Sequence, residues 1–162
     1  MCAPPLTACM QLAPMQAALT AAYVFHTLFA GVWVGAVVLT AWKVIPAAEN
    51  GDVSPELLGS VTSGLSWITR VGALVFLATG GYMAATVYGA EGLFAPPRGH
   101  TVLTMLALWI VMTGLVEVAG GKVRSALEQE KVRTAARDAD TFLKVAAVLG
   151  IVLLVLGGYL SA

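Results

Sequence analysis

The run Ala17–Trp42 contains no Lys, Arg, Asp or Glu. About 20 apolar helical residues cross the hydrocarbon core of a bilayer, so this stretch alone is long enough to span one. Three more uncharged runs follow: Val71–Ala90, Thr101–Val116 and Val145–Ala162. Each can extend past a flanking ionisable group whose long side chain reaches the interface. The chain is 59% hydrophobic and only 11% charged, far from the roughly 25% charged residues of a soluble domain. No ten-residue alternating pattern points to a barrel, and inside a bilayer only helices otherwise satisfy the backbone. The expected fold is an all-α, antiparallel up-down bundle of four transmembrane helices, spanning about residues 17–43, 64–88, 100–120 and 141–161. It forms one domain over 17–162, preceded by an extracytoplasmic tail over 1–16.

Charge asymmetry sets the expected orientation. Lys43 follows the first span, and Lys122, Arg124, Lys131, Arg133 and Arg137 lie between the third and fourth. The connection Gly89–Gly99 carries Arg98 as its one cation. Positive charge gathers on the cytoplasmic side, which puts both termini outside in a multi-pass protein of a prokaryotic-type plasma membrane. Net charge is zero, so nothing calls for nucleic acid as a partner. Membrane lipid is the expected surrounding, together with a second copy of the chain or a partner membrane protein.

Ser54-Pro55-Glu56 reads as a helix start with Ser as the N-cap, Pro in the first turn and Glu complementing the dipole, so the second helix is expected to begin before the membrane. Leu127–Arg137 is rich in helix formers and reads as an extension of the third helix beyond the bilayer. The amino terminus lacks the regions of a signal peptide. Leu6-Thr-Ala-Cys9 is a faint lipoprotein-like box, and Met10 or Met15 is an alternative start. Cys2 and Cys9 leave a disulfide and a soft-metal role equally open.

The polar groups near the spans sort into two layers. Arg70, Glu117 and Lys144, with Lys43, border the uncharged runs on the expected cytoplasmic side. Snorkelling to lipid phosphates and a pair of Arg70 or Lys144 with Glu117 account for them; a gate or proton relay through Glu117 is the functional alternative. The second layer lies toward the other face. It holds His26, inside the first run, with His100, Met83 and Met105. An imidazole placed there is costly and needs a partner, a cavity or a ligand. Imidazole and thioether are ligands of soft metals, and thioethers favour Cu(I), so these four residues form a candidate metal set. The plainer readings are methionines that fill gaps, an exposed His100, and a His26 hydrogen-bonded to a neighbouring helix. His26, Ala30, Trp33 and Val37 share one helix face. Gly31-Val-Trp-Val-Gly35 is a small-xxx-small pattern suited to close helix approach or a homodimer.

The segment His26-Thr-Leu-Phe-Ala-Gly-Val-Trp-Val-Gly-Ala resembles the first-helix pattern of the copper-resistance protein D (CopD) domain family, in which a His precedes a small-aromatic-small run around Trp and Gly. Ser66–Tyr82, with Arg70 early and Thr79-Gly80-Gly81-Tyr82 late, and a third helix ending in Gly121-Lys-Val-Arg extend the resemblance over a four-span layout from about Tyr23 onward. It implies copper handling across or within the membrane, with His26 the position carried over. The chain also resembles the HemJ-type protoporphyrinogen oxidases in the same first-helix His, which implies haem b with His26 as an axial ligand. That group has a lysine early in its third helix, where this chain reads Gly99-His-Thr-Val-Leu-Thr-Met-Leu; the departure counts against that group's oxidase activity and leaves a b-type haem on His26 open. Three readings follow: a transporter-like copper protein, a haem-dependent oxidoreductase, and a non-catalytic assembly subunit. No nucleotide loop, metalloprotease motif or nucleophile constellation suggests an ATP-driven pump or a hydrolase.

Overall fold

The computed structural model describes residues 6–129 and 131–161, with side chains from Pro14 onward, so the side chains of Cys2, Cys9 and Met10 lie outside the described residues. Every described element is helical: α1 (Leu6–Leu39), a π-helical turn (Thr40–Val44), α2 (Ile45–Asn50), α3 (Pro55–Val87), α4 (Gly89–Leu93), α5 (Arg98–Leu127) and α6 (Val132–Ser161). Four continuous stretches, Pro14–Asn50, Pro55–Val87, Arg98–Leu127 and Val132–Ser161, are long and apolar enough to cross a membrane. The fold is the expected all-α membrane bundle of four spanning helices.

All four helices outrun the spans expected from charge. α1 reaches back to Leu6 through part of the segment read as a tail, and α6 begins at Val132 rather than near residue 141. A charged residue marks where a helix can leave hydrocarbon, not where its hydrogen-bonded ladder stops. The stretch Leu127–Arg137 does not extend the third helix as expected. α5 ends at Leu127, the chain turns with Lys131 N–H on Ala126 O at 3.0 Å, and most of the stretch opens α6.

Local chemistry explains the breaks. Pro46 has no N–H and its ring crowds the carbonyl four residues earlier. The π-turn over Thr40–Val44 loosens the helix just before it, and the Thr40 hydroxyl donates to Ala36 O at 2.8 Å. Gly51, at φ 88°, closes α2 in the left-handed region, and Asp52 N–H returns to Ala47 O at 2.9 Å. Ser54 then caps α3, accepting from Leu57 N–H at 3.3 Å, with Pro55 in the first turn as expected.

Successive spans pack in a ring, α1 on α3, α3 on α5, α5 on α6 and α6 back on α1. Contacts fix the register: Ser66 against Gly120 and Arg70 with Glu117 between α3 and α5, and Val34 and Met112 against Gly150 of α6. A Cβ at Gly150 would lie 2.9 Å from Met112 Cε and 3.0 Å from Val34 Cγ1, so glycine there is what lets three helices meet. The two ends of the ring differ. Toward Gly51 and the α5–α6 turn, Ile45, Ala48, Leu58, Val123, Ala135, Ala136 and Ala139 are completely buried. Toward α4, beyond Phe76 on α3 and Met112 on α5, Ala22 is the one buried hydrophobic residue among those described.

Candidate functional site

His26, on α1, faces α3 about midway between the tight core and α4. Its Nδ1 lies 2.8 Å from Thr79 Oγ1, and the Thr79 hydroxyl lies 2.6 Å from Val75 O, four residues back on its own helix. A hydroxyl has one hydrogen, and here it goes to the carbonyl. The proton between His26 and Thr79 therefore belongs to the imidazole: Nδ1–H donates and Thr79 Oγ1 accepts. This fixes the tautomer and leaves the lone pair on Nε2, for which the described residues offer no hydrogen-bond partner. Metal-bound histidines are held in the same way, one nitrogen donating to the protein while the other carries the ligand.

The same device recurs two turns along α1. Trp33 Nε1–H donates to Thr69 Oγ1 at 2.8 Å, and Thr69 donates to Leu65 O at 2.8 Å. Trp33 has no second polar atom, so its bond is complete. His26 has one left over. Between the two bonds sits Phe76, its ring 5.1 Å from that of His26 in an edge-on contact, 5.6 Å from Trp33 and 6.4 Å from Trp109 of α5. Gly80 completes the seat: a Cβ there would stand 3.1 Å from His26 Cε1.

The other candidate ligands fall differently. Met83 is half-buried and one turn beyond Thr79 on the same α3 face, about 6 Å further along the axis. Met105 is half-buried on α5, one turn from Trp109, with its methyl 3.7 Å from the position a Gly157 Cβ would take. His100 is exposed, and its Nε2 lies 3.2 Å from Phe94 O in the turn before α5. The structure therefore directs His100 to its own connection, while His26, Thr79, Phe76 and Met83 share one α1–α3 seam. Among the described residues no three His, Cys, Asp or Glu side chains gather into a metal-binding group.

In the charged layer, Arg70 makes two bonds to Glu117, Nη2 to Oε2 at 2.9 Å and Nε to Oε1 at 3.3 Å. Lys144 does not join that pair; its Nζ lies 2.8 Å from Asp140, one turn back on α6. An i,i+4 partner is geometrically nearer than one across the bundle. Sequence reasoning passed over Asp140 in this role. It also gave no role to Thr69, Thr79 and Phe76, although Thr62, Ser66, Thr69, Gly72, Phe76, Thr79 and Met83 recur every three or four residues, the spacing of a single helix face.

Comparison with known protein families matches residues 59–160 to Copper resistance protein D. The matched segment holds α3 almost entirely, with Arg70, Phe76 and Thr79, all of α5, and all of α6 but its last residue; His26 lies ahead of it. No match was found among curated proteins or among solved structures, and the HemJ-type resemblance has no counterpart in these comparisons. The family match extends over more than half of the chain, and it accompanies four helices long and apolar enough to span a membrane: the chain belongs to the copper resistance protein D (CopD) family.

Proposed function

We propose that this protein carries Cu(I) as cargo within the plasma membrane, with His26 Nε2 as the ligand that receives it. The observation that carries the reading is His26 Nε2, without a hydrogen-bond partner among the described residues, on a half-buried ring already oriented by Thr79. An imidazole with thioethers nearby suits Cu(I), and Met83 on the same seam is the first thioether in reach; Met105 is the second. His100 fits an entry role at the exposed α4 end better than a shared site. The protein acts as a transporter-like carrier rather than an enzyme.

The test is Cu(I) binding by the purified protein under reducing conditions, by competition with a chromophoric chelator, beside an absorption spectrum. Stoichiometric copper that is lost in His26→Ala and weakened in Met83→Leu supports the reading. A Soret band lost in His26→Ala would replace it with haem b, and copper bound equally by wild type and His26→Ala would move the site elsewhere. The proposal extends to a homodimer through the Gly31/Gly35 face: a Cβ at either glycine meets nothing within 4 Å, so this small-residue stripe is not used inside the bundle. Crosslinking in native membranes should trap a dimer, and monomer at every expression level would refute it.

A further inference from the structure

Most of the described threonines in this bundle follow one habit. Thr40, Thr62, Thr69, Thr79, Thr86, Thr101 and Thr104 all turn the hydroxyl back onto the carbonyl four residues earlier. Thr113 does not: its Oγ1 is buried and has no partner among the described residues. One turn away on the same face of α5, Trp109 Nε1 is also buried without a partner. Trp33 shows that an indole in this core can be satisfied by a threonine of the facing helix, yet Trp109 meets none. In an apolar interior an unpaired N–H is costly, and buried polar groups left unpaired by protein are regularly completed by ordered water.

The facing helix carries no side chain at this level. The pairs Arg70–Glu117 and Phe76–Trp109 bracket the α3–α5 register and bring Gly72 level with Thr113. Gly72 is buried, but a Cβ built on it would meet only the Phe76 ring, at 3.3 and 3.9 Å. Level with Thr113 there is thus a position with no side chain, with the Phe76 ring tight against it on the α4 side.

We propose that Trp109 Nε1 and Thr113 Oγ1 together bind an ordered water inside the bundle, in the space left by Gly72, as a polar site separate from His26 and screened from it by Phe76. The indole donates to the water, and the Thr113 hydroxyl accepts from it or donates to it, which satisfies both groups without disturbing the helix. The assignment does not depend on copper at His26. It gives the interior a second polar station, one to two turns from the imidazole toward the Gly51 end.

The experiment is proton-detected NMR of the full-length protein in lipid nanodiscs with 15N-labelled indoles, the Trp109 signal being assigned by its disappearance in Trp109→Phe. A cross-peak between water and the Trp109 indole proton, with none at Trp33, is the expected result. Absence of any water contact at Trp109 overturns the site, and the wild-type spectrum alone decides this. Thr113→Val should remove the Trp109–water cross-peak while the Trp33 resonance, reporting an intact fold, stays in place. A cross-peak that survives Thr113→Val overturns the role given to Thr113.

Discussion

The half of the bundle near Gly51 and the half near α4 are built from the same four helices but packed by different rules. Near Gly51, alanines and glycines on α5 and α6 let the helices close onto Ile45, Leu58 and Leu143, and the buried atom there without a hydrogen bond among the described residues, Asp140 Oδ1, lies 2.8 Å from the Lys144 ammonium. Near α4, Ala22 apart, the apolar side chains among the described residues are half-buried at best, and three polar groups are left over in or beside that half: His26 Nε2, Trp109 Nε1 and Thr113 Oγ1. Close packing of small residues fixes the register of the whole ring, and the fixed register then holds the looser half in place while its spare groups remain available. Regions that bind and release ligands are drawn from the less stable parts of a structure.

The strongest way to break this comparison is to damage each half equally. Leu58→Ala removes a completely buried side chain and should cost about 2–5 kcal/mol of resistance to unfolding in detergent. Leu77→Ala truncates a side chain that is 57% exposed toward lipid and should cost far less, because lipid fills the space. Similar losses from the two would show that stability is spread evenly along the bundle.

Next comes a change that acts on affinity rather than on folding. In Thr79→Val the His26 Nδ1–H loses its acceptor, and with it the hydrogen bond that orients the ring and selects the tautomer. Loss of such a supporting bond typically weakens metal binding about 10–100-fold. Chelator competition should show this drop for Thr79→Val and a smaller one for Thr79→Ser, which keeps the oxygen. Equal affinity in Thr79→Val and wild type would mean that Thr79 does not position His26 for the proposed copper binding.

The matched experiment on the other α1–α3 bond sharpens the contrast. Trp33→Phe keeps most of the ring volume but strips the N–H, leaving Thr69 Oγ1 with its carbonyl bond alone. A net loss of about 1 kcal/mol in stability is expected, with Cu(I) affinity unchanged. Thermal unfolding and chelator competition on the same preparations separate the two effects. A fall in affinity as large as that of Thr79→Val would show that the two bonds form one coupled site rather than a structural bond and a functional one.

Much of the fold was legible in the sequence because it rests on long uncharged runs, and the inward face of α1 followed from the spacing of His26, Trp33 and Val37. Helix limits were less legible: α6 starts at Val132 because Lys131–Asp140, although charged, is still good helix, and charge alone does not end a hydrogen-bonded ladder. Of the proposed site one residue, His26, was legible. Thr79 was hidden because a threonine in an apolar run looks like filler until a proton count assigns its hydroxyl to Val75, and the contact of His100 with Phe94 O was hidden because one sequence does not show which local carbonyl a side chain reaches.

The smallest effect is expected at the boundary between the halves, where Arg70 and Glu117 meet. The bonds are 2.9 and 3.3 Å, but the side chains are 61% and 31% exposed, and either group left alone can reach water or lipid headgroups. Exposed ion pairs contribute little because solvent screens them and ordering two long side chains costs entropy. Glu117→Gln, which keeps shape and removes charge, should therefore shift the unfolding midpoint less than Trp33→Phe and leave Cu(I) affinity alone. High salt should narrow even that small difference. A large loss of stability in Glu117→Gln would place the pair out of reach of water, in hydrocarbon or under a second subunit. The boundary between the tight and loose halves would then be held by charge, and removing Arg70 as well, in Arg70→Leu/Glu117→Leu, should restore most of what the single change lost, since no unpaired ion would remain buried.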